Sequence, residues 1–159
     1  MPPAINSFDV NTIDIDTQIS IISINEIDTL NMFVELTIQL NMKWFDQRLN
    51  FKNLMINQEN LVPLDIAEKL WLPTENIVHE NAIIGKIEYG ARQISVIPSS
   101  AEDMDPGKTE ENRIFTGANN PLKIEQRLNI VYNCLFDVEK LLFDKGACNF
   151  TTSIKTNVI

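Results

Sequence analysis

From Val34 to Trp44 the chain alternates without a break between apolar and polar residues. Val34, Leu36, Ile38, Leu40, Met42 and Trp44 fall on one parity, and Glu35, Thr37, Gln39, Asn41 and Lys43 on the other. Successive side chains of a strand point to opposite faces, so this run makes one dry face and one wet one. A helix would scatter the same residues around its axis. The run predicts a long strand from about Phe33 to Leu49, with Asp46, Arg48 and Leu49 at its end.

The rest of the chain has the same character. Ile13, Ile15, Ile19 and Ile21 alternate with Asp14, Asp16, Gln18 and Ser20, a first strand, and Asn25 to Asn31 reads as a polar connection. Residues 51–60 read as a mixed loop. Pro63 suits the start of a short helical turn through Glu68, and Trp71-Leu72-Pro73 an extended run. Ile83 to Ile97 holds one or two strands, with Gly85 and Gly90 as bends or bulges. Pro98 to Asn112 is acidic and turn-rich, a surface loop. Leu122, Ile124, Leu128, Ile130, Tyr132 and Cys134 make a second two-faced strand, broken at Gln126 and Val131. Phe150 to Ile159 begins another. Spaced strands with turn signals between them predict an all-β antiparallel sandwich. Residues 1–9 read as disordered and 10–159 as one domain, a length that suits one core.

Composition excludes several functions. The formal net charge is −9, which argues against nucleic acid or anionic lipid as partner and is compatible with cationic ligands or plain solubility. There is no run of 18 apolar residues for a membrane span and no signal-peptide pattern at the start. No nucleophile elbow, phosphate-binding glycine loop or metal-ligand cluster is present, so no catalytic residue, metal or cofactor is expected. Two cysteines, Cys134 and Cys148, would be free thiols in a reducing compartment. The glycosylation sequon Asn149-Phe150-Thr151 favours an oxidising one. His79, the only histidine, suits a pH sensor or an ordinary surface position.

Three motifs occur in order: Trp44-x-Asp46-x-Arg48-Leu49, then Leu70-Trp71-x-Pro73, then Cys134 and Cys148 with Phe143-Asp144 between them. Together they resemble the extracellular ligand-binding domain of the Cys-loop pentameric neurotransmitter-gated ion channels, from about residue 10 to 159. Phe115-Thr116-Gly117-x-Asn119-Asn120-Pro121 looks most like the arthropod, anion-channel-like branch. The resemblance implies an immunoglobulin-like β-sandwich, a Cys134–Cys148 disulfide and a glycoprotein on the extracellular side of the plasma membrane. It also implies homologous subunits in a homo- or hetero-pentamer, with a small-molecule ligand held between them.

By the same resemblance Trp44 anchors the core, Asp46 and Arg48 tie loops at one end, and Trp71 and Pro73 are structural. The ligand side would take Gln39 and Asn41 from the first long strand and Lys123 and Glu125 from the later one. The plainer alternatives are a solvated strand face for the first pair and a cross-strand ion pair for the second. After Trp71-x-Pro73 the principal-side loop falls near Val78 and His79, where aminergic receptors of the family often carry an aromatic residue. The sequence departs from the family at Leu142, where a proline is usual, and at Thr74, where an aspartate is usual. The family's later strands and its four membrane helices have no counterpart in these 159 residues, so the sandwich is expected to be incomplete at its C-terminus, contacting a membrane only through segments outside this chain. Such a chain is expected to keep an unpaired sheet edge, to associate, and to bind no agonist alone. A soluble, pore-less binding or assembly module of the same fold is the alternative.

Overall fold

The computed structural model describes residues 13–56, 58–98, 113–136 and 148–155. Residues 1–9, expected to be disordered, and most of the acidic loop expected at 98–112 lie outside them.

Nine strands are described: β1 (Ile15–Asp28), β2 (Phe33–Trp44), β3 (Asn50–Lys52), β4 (Asn60–Leu61), β5 (Ile77–Glu80), β6 (Ala82–Val96), β7 (Ile114–Thr116), β8 (Leu122–Asn133) and β9 (Thr151–Ile154). A short helix α1 (Leu64–Ala67) and a 3-10 turn (Pro73–Asn76) lie between β4 and β5. The strands form one five-stranded sheet in the order β1-β2-β8-β6-β4 and two pairs, β3-β7 and β5-β9. Both small pairs and the β4-β6 contact are antiparallel. The fold is all-β and antiparallel, as its alternating patterns require.

The chain divides into two compact units. One comprises Met1–Gln18, Asn41–Leu72 and Arg92–Glu125, the other Ile19–Leu40, Pro73–Ala91 and Gln126–Ile159. β2, β6 and β8 each run from one into the other. In the first unit Met42, Trp44, Leu72, Val96, Phe115, Leu122 and Ile124 are buried. In the second, Val34, Leu36, Ile38, Leu40, Leu128, Ile130 and Tyr132 are buried. The dry parity of β2 is thus buried along its whole length, while Gln39 and Asn41 on the other parity are half-buried. Gln126, which interrupts the apolar parity of β8, is itself buried, so the face continues through it.

Several boundaries differ from the sequence reading. β1 runs on to Asp28, and the reversal falls at residues 29–32 rather than across 25–31. Asp28 fixes that place. Its Oδ1 accepts from the N–H groups of Leu30 (2.9 Å) and Asn31 (2.8 Å), and Met32 takes a φ of 57°. Asn25 instead sits within the strand, its amide donating to Thr37 Oγ1 of β2 at 2.9 Å.

β2 stops at Trp44 rather than Leu49 because the Asp46 carboxylate captures Arg48. Oδ1 accepts from the Arg48 backbone N–H (3.1 Å) and Nε (2.9 Å), and Oδ2 from Nη2 (2.7 Å). The chain turns there, and Leu49 N–H donates to Asp46 O at 3.1 Å. Gly117 closes against this turn, its N–H donating to Leu49 O at 2.8 Å. A Cβ at position 117 would fall on the Asp46 carbonyl oxygen, so only glycine fits. The mixed loop expected at 51–60 contains most of β3, paired with β7, and the start of β4.

β6 is one strand. Gly85 has a φ of 81°, the left-handed region a bulge needs. At Gly90 the backbone packs closely: a Cβ there would stand 3.1 Å from Arg127 O of β8.

Candidate functional site

Within β2, Gln39 and Asn41 alternate with buried Ile38, Leu40 and Met42, which leaves their amides on the face away from the core. Each takes part in an interaction, so neither residue is without a partner.

Lys123 and Glu125 lie two apart on β8, so they share a face of one strand rather than pairing across strands. Lys123 Nζ is 2.6 Å from Glu125 Oε1 and 2.5 Å from Glu59 Oε1, in the segment just before β4. Hydrogen bonds that the Lys123 ammonium donates to Glu125 and then Glu59 hold it above its ordinary pKa, against an opposing cost of burial. The triad is net negative, and an anionic ligand group would have to displace a carboxylate from Lys123.

Trp44 is fully buried and meets Trp71 edge to face, with ring centroids 6.4 Å apart and an interplanar angle of 85°. Pro73, buried, opens the 3-10 turn that follows. Burial pushes the Asp46 carboxyl up, but the Arg48 side chain and backbone N–H outweigh it and hold it below the usual carboxylate value. Asp46 is 2% exposed and the Arg48 side chain 42%, so this is a bond within one turn, with solvent on the arginine side.

Cys134 and Cys148 form a disulfide with a Cα–Cα distance of 5.1 Å, inside the range an unforced bridge needs. Phe143 and Asp144, inside the loop it closes, lie outside the described residues. The loop base is anchored by Cys134 N–H, which donates to Met32 O at 2.9 Å. Asn149, the sequon residue, is exposed.

Beside the disulfide lies a cluster the sequence reading missed. β5 pairs with β9 so that His79 stands opposite Thr152 and Val78 opposite Ser153. The ring nitrogen Nδ1 of His79 is 3.1 Å from Thr152 Oγ1 and 3.2 Å from the hydroxyl of buried Tyr132. The Tyr132 and His79 rings are edge-on, with centroids 6.4 Å apart, and Phe150 packs on Tyr132 at 4.9 Å. His79 is therefore half-buried, not a plain surface histidine. Its partners are remote in sequence, and only the tyrosine, on the dry parity of β8 yet carrying a hydroxyl that burial obliges to find a partner, hinted at them.

The model of the neurotransmitter-gated ion-channel ligand binding domain family matches residues 2–157. The chain belongs to that family. A search of the curated proteins found no match. Neurotransmitter-gated ion-channel ligand-binding domains are the extracellular, non-enzymatic parts of membrane channels, and they bind ligands and assemble as subunits. The antiparallel β-sandwich class and the Cys134–Cys148 bridge agree with that membership. Among the described residues no helix is long and apolar enough to cross a membrane.

Proposed function

We propose that this ligand-binding domain serves a channel subunit of the arthropod, anion-channel-like branch, and that it takes a small-molecule ligand between neighbouring subunits of a pentamer. Gln39 and Asn41 present the hydrogen-bonding groups, and Lys123 and Glu125 the charged ones. Ligand binding is relayed to the pore through the Cys134–Cys148 loop with Phe143 and Asp144. Asn149 carries a glycan, on the extracellular side of the plasma membrane.

The observation that carries this reading is family membership over residues 2–157, joined to the half-buried amides of β2 on the face away from the core. The branch assignment leans on the Phe115–Pro121 segment. There Phe115, Gly117, Asn120 and Pro121 are buried, and Asn120 Nδ2 donates to Thr116 O at 2.9 Å.

Thermal-shift titration of the oxidised chain against amino-acid and biogenic-amine neurotransmitters, at concentrations where copies of it associate, tests the site. Gln39→Ala or Asn41→Ala is expected to weaken any stabilising ligand about tenfold, the equivalent of one lost hydrogen bond. Unchanged affinity in both variants would place the ligand elsewhere.

A further inference from the structure

His79 does more than fill a strand position. Its Nδ1 meets two hydroxyls that come from opposite ends of the disulfide loop. Tyr132 lies two residues before Cys134, on the strand that leads into the loop. Thr152 lies four residues after Cys148, on the strand that leads out of it. We propose that His79 is a pH-sensitive clamp on the base of the disulfide loop, holding β5, β8 and β9 together when neutral and releasing them when protonated.

The geometry sets the direction. With its proton on Nε2, neutral His79 offers Nδ1 as an acceptor, and a hydroxyl donates to it. Protonation turns Nδ1 into a donor. The hydroxyl bonded to it must then reverse, and a full positive charge appears in a half-buried place beside the ring of Tyr132. Among the described residues no carboxylate pairs with that charge. From β8 the ring meets Tyr132, and from β9 it meets Thr152. Glu80 follows on β5 with the opposite parity and is exposed, and Lys155, also exposed, lies beyond the end of β9.

Burial accordingly lowers the His79 pKa from its ordinary value of 6.5. A histidine whose folded pKa is depressed binds its proton more readily when the clamp is open. The closed form is therefore fully favoured above the ordinary value, and it loses ground as pH falls from there to the folded value.

His79 is the chain's only histidine, so its imidazole C–H resonances titrate without ambiguity. The oxidised full chain is expected to show that titration below about 6.5, the unperturbed value. Amide exchange, corrected for intrinsic rates, is expected to report increased opening of Ile77–Glu80 and Thr151–Ile154 as pH falls, by up to about tenfold per pH unit. Buried β2 amides are expected to stay flat over the same range. In His79→Gln, which keeps an acceptor but cannot charge, the pH dependence is expected to vanish. A titration at or above the ordinary value overturns the clamp, as does the same pH slope in wild type and His79→Gln.

Discussion

Replacing Trp44 by alanine tests the interior most severely. The side chain is fully buried and meets Trp71 edge to face at 6.4 Å. A large aromatic buries up to about 250 Å². At about 25 cal/mol per Å² that gives an upper limit of about 6 kcal/mol, which a compact denatured state reduces. The expected loss is about 3–5 kcal/mol, the usual range for tryptophan to alanine in a core. A second variant removes the indole N–H while keeping most of the ring. Among the described residues Trp44 Nε1 has no hydrogen-bond partner, and burying an unpaired N–H costs about 1–3 kcal/mol. Trp44→Phe forfeits some area but removes that N–H, so its net loss is expected to stay below about 1.5 kcal/mol. A double-mutant cycle with Trp71→Ala should return a coupling of about 0.5–1.5 kcal/mol. Urea unfolding followed by far-ultraviolet circular dichroism suits all these variants, because tryptophan fluorescence changes with the substitutions themselves. A loss under about 1 kcal/mol for Trp44→Ala would refute the assignment of β2's faces. A loss for Trp44→Phe of about 3 kcal/mol or more would refute the unpaired N–H, because removing a satisfied indole would then leave its partner unpaired as well.

Two further outcomes follow from the bridge and the turn. Replacing Cys134 and Cys148 together by serine is expected to cost about 3 kcal/mol in urea unfolding, from the lost loop closure. Thiol labelling of the folded oxidised chain should find no free cysteine, and two free thiols would contradict the bridge. Asp46, held below its ordinary pKa by Arg48, adds stability above that value and loses it as pH falls through the folded pKa. Asp46→Asn should flatten the fall in urea midpoint below about pH 4, whereas identical acid profiles would show that the pair does not couple to folding.

β2 and β8 were legible because one face of each is dry, and alternation is the direct imprint of that burial. Val34 to Trp44 and Leu122 to Cys134 needed nothing else. Strand ends were less legible, because single carboxylates set them. Asp28 and Asp46 each stop a strand by accepting neighbouring N–H groups, and a polar residue in the sequence does not announce which bond it will make. The short pairs β3-β7 and β5-β9 carry too few residues for a period to show. The candidate site was legible only as parity: Gln39 and Asn41 alternate with buried residues, and Lys123 and Glu125 share a face. Glu59 was out of reach, 64 residues from Lys123, as were Tyr132 and Thr152, 53 and 73 residues from His79. Folding alone brings such groups together.

The central claim, a ligand held between subunits of this family, is tested most directly by sedimentation velocity across a range of chain concentrations, with and without the neurotransmitter that gives the largest thermal shift. Binding at a subunit interface must be linked to assembly. The ligand is expected to shift the distribution toward larger species and to bind in proportion to the assembled fraction. Stoichiometric binding to the monomer, with an affinity independent of chain concentration, would contradict the account.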